Sequence, residues 1–537
     1  MIDSISAFFD GGRPIAHDDF TRIACDPSRS VVVEACAGSG KTWLLVSRML
    51  RLLLAGAEPG EMLAITFTRK AAQEMRERLI SLLRQLALEP DPEKLLKELR
   101  LRGLSDADAR AAMPAARTLY ARVLASPHGL SVDTFHSWFI RLLQIAPLAS
   151  GVPHGYGLEE NTAELHELAW LKFMQSLNRT EHRALRDALM TVYEIAGDWS
   201  GREMIEAFVA KRAEWQIMRR EADPVDVLRD CCGEDGERDA RLAFWEDATL
   251  RERFHAFTRA LGQGTTPQKT KASAIEQHVT DGSSTADFDA LYGICFTKSG
   301  TPNSVKANNE LKKNLGPDAA QAVVDEWLAL CDKLVEYRDR AHDLQVRRLN
   351  EAMFLIGEAC IHHYQKLKDD RRKLDFADLE MHAWHLLTDG DSAAYLHSRI
   401  DARYRHVLID EFQDTNPLQW HIVRAWLDAY GEDGDRPSVF IVGDPKQSIY
   451  RFRRADPRVF NAARAKLCAQ GAADLSTRQT RRNGRAIVDV LNRAMDKVNG
   501  LYQPQDTLSD DEDSVVWRLP LVRPDDDSAA GDRKSTR

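Results

Sequence analysis

Eight residues, Ala35 to Thr42 (ACAGSGKT), constrain the fold of this chain more tightly than any other stretch. Gly38 and Gly40 let the backbone curl so that successive N–H groups point inward. Lys41 and Thr42 open a helical pattern that runs through Leu54. A β-branched run, VVVE at 31–34, comes immediately before the loop. Strand, glycine loop and helix N-terminus together form an anion cradle, because amide groups and the helix dipole favour phosphate. The stretch fits the P-loop pattern except that Ala35 stands where the first glycine usually does. Ala35, Cys36, Ala37, Gly38, Ser39, Gly40, Lys41 and Thr42 are therefore the expected ATP-binding loop. Lys41 is expected on the β- and γ-phosphates, and the Thr42 hydroxyl on Mg²⁺.

Hydrolysis also needs carboxylates for the metal and for the attacking water. The segment VLIDEFQDTN at 407–416 supplies them at the end of a buried apolar run. Asp410 is the expected Mg²⁺ ligand, and Glu411 the group that orients and deprotonates water. An Asp-Glu pair alone would suit a solvated strand end; beside a P-loop it suits catalysis.

Further apolar runs at 63–66 (LAIT) and 439–442 (VFIV) resemble buried parallel strands. Strands separated by helices indicate an α/β core with right-handed crossovers. Residues 159–372 instead carry helical spacing with few strand signals, which predicts an all-helical insertion. A smaller helical excursion is expected at 84–125, and a Gly/Ser/Thr/Lys-rich patch near 262–304 suggests an exposed loop.

Together these blocks resemble superfamily 1 DNA helicases of the UvrD/Rep type, most closely the AddA/RecB-like recombination helicases. The resemblance rests on the P-loop, on AITFTRKAAQEM (64–75), SVDTFHSWFIRLL (131–143) and LDFADLE (374–380), on the DEFQD of 410–414, on FIVGDPKQSIYRFRRA (440–455), and on QTRRNGRAIVDVLN (479–492). It implies a P-loop RecA-like parallel-sheet core with a large helical insertion and the start of a second RecA-like domain. The implied boundaries are 1–158 and 373–470 for the first motor domain, 159–372 for the insertion and 471–523 for the start of the second. A disordered tail is expected at 524–537. The implied activity is ATP-dependent 3′–5′ helicase action on single- and double-stranded DNA in double-strand-break repair. It also implies a partner subunit, of the kind found in AddAB or RecBCD complexes.

The resemblance also assigns residues. Gln447 senses the γ-phosphate, and Arg482 reaches it from the second motor domain, with Arg481 as the alternative if the register slips by one. Thr66, Phe67, Thr68, His136, Tyr450 and Phe452 fall in DNA-contacting blocks. Phe452 takes the position of an aromatic that stacks on a base. Phe67 and Phe452 would also suit a core, and His136 is as consistent with a buried, satisfied histidine as with a DNA contact.

Two departures stand out. The position about twenty residues before Lys41, where the family carries an adenine-reading Gln, is Phe20, and Trp43 stands where relatives often carry Arg. Two later motor motifs and a nuclease pattern do not occur between Asn492 and Arg537. That suggests a truncated product or one part of a split gene. The competing expectation is therefore a non-motor ATP- and DNA-binding module. A kinase or small GTPase would leave DEFQD and GDPKQSIY unexplained.

The chain carries 73 Lys and Arg against 82 Asp and Glu, a net charge of −9. From Lys446 to Arg485, however, eleven bases face two acids, a local +9 on a motif-bearing segment. Only such local charge bears on phosphate contacts. Eight scattered cysteines suggest neither zinc nor a disulfide scaffold, and the absence of a basic-then-apolar start suggests a cytoplasmic protein.

Overall fold

A computed structural model describes residues 7–232, 238–430, 436–495, 502–509 and 514–517. The expected disordered tail at 524–537 lies outside the described residues. The chain divides into two compact units, Met1–Leu158 with Leu374–Arg537, and Glu159–Lys373.

The first unit is α/β. Its main sheet has eight strands: β1 Phe8–Asp10, β2 Arg13–Pro14, β3 Val31–Ala35, β4 Met62–Thr66, β5 Ser131–Thr134, β6 His406–Ile409, β7 Ser438–Gly443 and β8 Ala473–Thr477. Their spatial order is β2-β1-β8-β3-β7-β6-β4-β5. All pairings from β8 to β5 are parallel, and only β1 runs antiparallel to its neighbours β8 and β2. Central strands are apolar on both faces, as a sheet covered by helices requires: Val31, Val32 and Val33 are fully buried. Because the central strands are parallel, Ala35, Thr66, Thr134, Ile409, Gly443 and Thr477 all end at one edge. In open α/β sheets that carboxyl edge is where ligands bind.

The helices that carry residues of that edge are α1 His17–Ala24, α2 Lys41–Leu54, α3 Arg69–Leu88, α4 Phe135–Gln144, α5 Phe376–Thr388 and α6 Pro417–Asp428. Helices Pro92–Leu101 and Asp106–Ala125 occupy the excursion near 84–125 and bury Leu95, Leu96, Leu99 and Leu119 in the same core as α2 and α3.

Two expectations need correction. The start of a second motor domain is expected at 471–523, yet β8 pairs in parallel with β3 in full register, Ala473 opposite Val31 and Thr477 opposite Ala35. Alternating burial along β8, with Leu475 fully buried, gives this strand a place in the first sheet. Beyond β8 the described residues form a short strand pair, Gln479–Thr480 with Asp506–Thr507, and a helix, Arg485–Met495. The patch near 262–304 is largely helical, Thr266–Asp281 and Thr285–Cys295. A capping box between Thr265 and Gln268 starts the first, and Ala272, Ile275 and Val279 bury one face at helical spacing. Polar composition masked an amphipathic period.

The second unit is helical, and its spine is one 54-residue helix, Pro317–Asp370, roughly 80 Å long at 1.5 Å per residue. Isolated helices draw little stability from propensity, so burial must hold it. Two apolar clusters do so. Trp327, Leu330 and Leu334 pack with Phe254, Phe257 and Phe288, while Ile356, Cys360 and Tyr364 pack with Phe173, Val192 and Ile205.

Candidate functional site

The loop 35–42 leaves β3 and enters α2 at Lys41. Gly38 (φ 74°) and Gly40 (φ 93°) adopt left-handed backbone, which glycine reaches without strain. The loop is braced from the neighbouring strand β8 and the residues that follow it. Cys36 N–H donates to Thr477 O (3.4 Å), and Arg481 N–H donates to Gly38 O (2.8 Å). A methyl group at Gly38 would lie 2.6 Å from Arg482 Cβ and 2.7 Å from Thr480 Oγ1. Both candidate arginines, Arg481 and Arg482, therefore stand directly over the P-loop, and both are solvent-exposed. Ser39 Oγ is buried and has no hydrogen-bond partner among the described residues.

Lys41 Nζ donates to Glu411 Oε2 at 2.8 Å. Glu411 has left-handed backbone (φ 47°), a strained conformation of the kind concentrated at functional sites. Its Oε2 also accepts from Gln413 Nε2 (2.8 Å), and Gln413 Oε1 accepts from Asp444 N–H (2.9 Å). Asp444 Oδ2 then accepts from Gln447 Nε2 (2.7 Å). One hydrogen-bond chain thus joins Lys41, Glu411, Gln413, Asp444 and Gln447. The sequence marked its ends; Gln413 as the bridge was missed. Gly443 makes the bridge possible, since a Cβ there would lie 2.5 Å from Gln413 Oε1.

Asp410 is buried at the end of β6, and its carboxyl is pushed up to about 7 by burial and by the charge of Glu411. The same two causes raise Asp414 to about 6, and its Oδ1 is buried without a partner among the described residues. Uncompensated acids of this kind favour a cation.

Beside the loop lies a largely apolar cavity lined by Phe8, His17, Phe20, Trp43, Lys41 and Arg481, among others. Phe20 is buried against Phe8, with ring centroids 5.0 Å apart, so it serves as a wall. Among its polar lining groups, His17 and Arg481 are in contact at 3.3 Å. Nothing in the local motif pointed to His17.

The expected DNA contacts divide. Phe452 is 77% exposed. Phe67 and Tyr450 lie 4.5 Å apart, and the Arg453 guanidinium stands over Phe67, Tyr450 and Phe452 at 5.3, 5.5 and 5.7 Å. This is a compact, cationic and aromatic surface. Thr68 is exposed and caps α3 by accepting from Ala71 N–H. Thr66 does not belong to the surface: it is 1% exposed and its hydroxyl donates to Thr68 O (3.0 Å). Its strand is buried on both faces along its whole length, so Thr66 is enclosed whichever face it takes. His136 packs on Phe376 (4.5 Å) and places Nε2 3.5 Å from the buried Glu380, so it faces inward as well.

Among the described residues no three His, Cys, Asp or Glu side chains could by themselves hold a metal ion, and no helix is long and apolar enough to cross a membrane.

A family model described as UvrD/REP helicase N-terminal domain matches residues 17–467. The chain is similar to the A subunit of the ATP-dependent helicase/nuclease of Latilactobacillus sakei, 26% identical over 80% of this chain and 48% of that protein. The protein of the same name from Bacillus velezensis is 26% identical over 90% of this chain and 39% of its own length, and that of Limosilactobacillus fermentum 26% over 87% and 36%. The chain therefore spans between about a third and a half of these curated relatives.

Proposed function

The chain belongs to the UvrD/REP helicase family, and on that premise we propose that it is the ATP-binding portion of an ATP-dependent DNA helicase. The observation that carries the reading is the chain from Lys41 through Glu411, Gln413 and Asp444 to Gln447, which joins the phosphate loop to the strand end that precedes the aromatic surface.

In this reading the P-loop amides and Lys41 bind the β- and γ-phosphates. Lys41 exchanges Glu411 for phosphate oxygen, and the released carboxylate orients water and takes its proton. Gln447, tied to Asp444, reports the γ-phosphate to the turn that carries Tyr450 and Phe452. Arg482, or Arg481 beside it, stabilises negative charge on the transferring group. The donors fit Mg²⁺, a hard cation held by one or two protein oxygens plus phosphates: Thr42 and Asp410 would hold it, and Ser39 Oγ is free to donate to a phosphate oxygen. When bound, it neutralises charge on the β- and γ-phosphate oxygens.

The substrate is DNA, tracked 3′–5′ along one strand, in double-strand-break repair, and the chain works with a partner subunit. Relatives named as the A subunit of an ATP-dependent helicase/nuclease support the assembly. The exposed Phe452 and the cationic turn around it support single-strand binding.

The test is ATP hydrolysis with and without single-stranded DNA, with Lys41→Ala as control. Stimulation by DNA that the control lacks supports the motor reading. ATP binding with hydrolysis no faster than the control would leave a nucleotide- and DNA-binding module.

A further inference from the structure

The motif LDFADLE (374–380) has no role in the chemistry above, yet it holds one of the most deeply buried carboxylates in the protein. Glu380 is 0% exposed. Its Oε1 accepts from Asn416 Nδ2 (2.8 Å) and Gln419 Nε2 (2.9 Å), and lies 3.5 Å from His136 Nε2. Its Oε2 pairs with the Arg454 guanidinium. A buried carboxylate survives only when paired and hydrogen-bonded. Burial alone would raise its pKa, but the His136 hydrogen bond and the Arg454 charge hold it below the usual carboxylate range.

The partners belong to different functional segments. Asn416 caps α6, immediately after the Asp410–Asp414 acids, and its capping box with Gln419 sets where that helix begins. Arg454 ends the tight turn that presents Tyr450, Phe452 and Arg453, and it has left-handed backbone (φ 67°), which a non-glycine residue holds only when its surroundings enforce it. His136 opens α4 in the block 131–143. The motif is built to hold the carboxylate there. Asp375 and Asp378 cap α5 reciprocally, and Phe376 packs on His136.

We propose that Glu380 is a positioning residue that fixes the DNA-facing turn Tyr450–Arg454 against the acid-bearing segment Asp410–Asn416. The inference rests on the helicase reading above. Glu380 touches neither ligand; it sets where the aromatic turn stands when nucleotide is bound.

Glu380→Gln tests it. The amide keeps the volume and one oxygen for Asn416 and Gln419, but turns an NH₂ toward the guanidinium. Fluorescence anisotropy with oligo(dT) and a fluorescent ATP analogue reads both sites on the full chain. The expected result is oligo(dT) affinity weakened about tenfold and ATP-analogue affinity within about twofold of wild type, since one arm of a buried charge pair is broken. Arg454→Gln should lose the same factor, and the double variant no more than either single change, because both break one contact. Arg454 is partly exposed, so it serves if Glu380→Gln does not fold. Wild-type oligo(dT) affinity in either folded variant overturns the proposal, as do equal losses for both ligands or losses that multiply in the double variant. Failure of the wild-type chain to bind oligo(dT) would instead remove the helicase reading and this inference with it.

Discussion

Lys41 and Glu411 lie 370 residues apart and share a 2.8 Å hydrogen bond. In the proposed mechanism Lys41 binds phosphate and Glu411 activates water, so each holds the other before nucleotide arrives. On that mechanism, nucleotide binding and release of the base would be one exchange of partners, in which phosphate takes the ammonium and Glu411 retains only Gln413.

Glu411→Gln keeps an acceptor for Lys41 but cannot take a proton. Affinity for ATP is expected to stay within about twofold, while phosphate release falls by about 10²–10⁴-fold, the usual worth of a general base. Equal losses of binding and turnover would show that Glu411 serves only to place Lys41.

Gly443→Ala should break the bridge at Gln413 without touching either ligand. The added methyl meets Gln413 Oε1 at 2.5 Å and Gln413 N at 3.1 Å, and backbone cannot yield as a side chain does. The expected cost is about 1–3 kcal/mol in denaturant unfolding, with DNA stimulation of hydrolysis lost beyond what that destabilisation accounts for.

At Gly38 the predicted effect is on nucleotide. Gly38→Ala places a side chain at φ 74° and against Arg482 Cβ and Thr480 Oγ1. The strained backbone alone costs roughly 1–2 kcal/mol, and the segment 480–482 must lift from the loop. Weaker binding of an ATP analogue in titration is the expected outcome; unchanged affinity would show that the loop tolerates the shift.

Phe452→Ala and Thr66→Ala should behave oppositely. Phe452 is 77% exposed, so its loss should weaken oligo(dT) binding by ~1–3 kcal/mol and leave the melting temperature nearly unchanged. Thr66 is 1% exposed with an internal hydrogen bond. Its loss should lower stability by about 1 kcal/mol with DNA affinity intact.

His406 begins β6, and burial, aided by the charge of Arg48, depresses its pKa from 6.5 to about 4. The neutral ring meets Ser438 Oγ at 2.8 Å. A depressed folded-state pKa means the stabilisation is complete above the unfolded value near 6.5 and disappears as pH falls toward 4. Denaturant unfolding followed from pH 7 to pH 4 should therefore show declining stability, and His406→Gln should flatten part of that slope. An identical slope in the variant would place the loss elsewhere.

The parts legible in the sequence share one property: their meaning is local. ACAGSGKT states its own backbone, because φ above zero at Gly38 and Gly40 and a helix starting at Lys41 follow from adjacent residues. Apolar runs ending in acids likewise announce Asp410 and Asp444 at strand ends. Where local pattern was ambiguous, it misled. Thr66 follows the apolar positions of its strand into the core, and the polar residues around Thr266 conceal a buried stripe at Ala272, Ile275 and Val279.

By itself, then, the sequence determined the glycine loop and its helix start, the acids at the strand ends and the family, since chain neighbours carry those signals. Tertiary structure alone decided that β8 completes the first sheet, that Gln413 bridges Glu411 to Asp444 past Gly443, and that Glu380 gathers His136, Asn416, Gln419 and Arg454. These pairings join positions far apart in the chain. Burial selects them through hydrogen bonds that a dry interior leaves no other way to satisfy, and no spacing rule along the chain records which distant partner that will be.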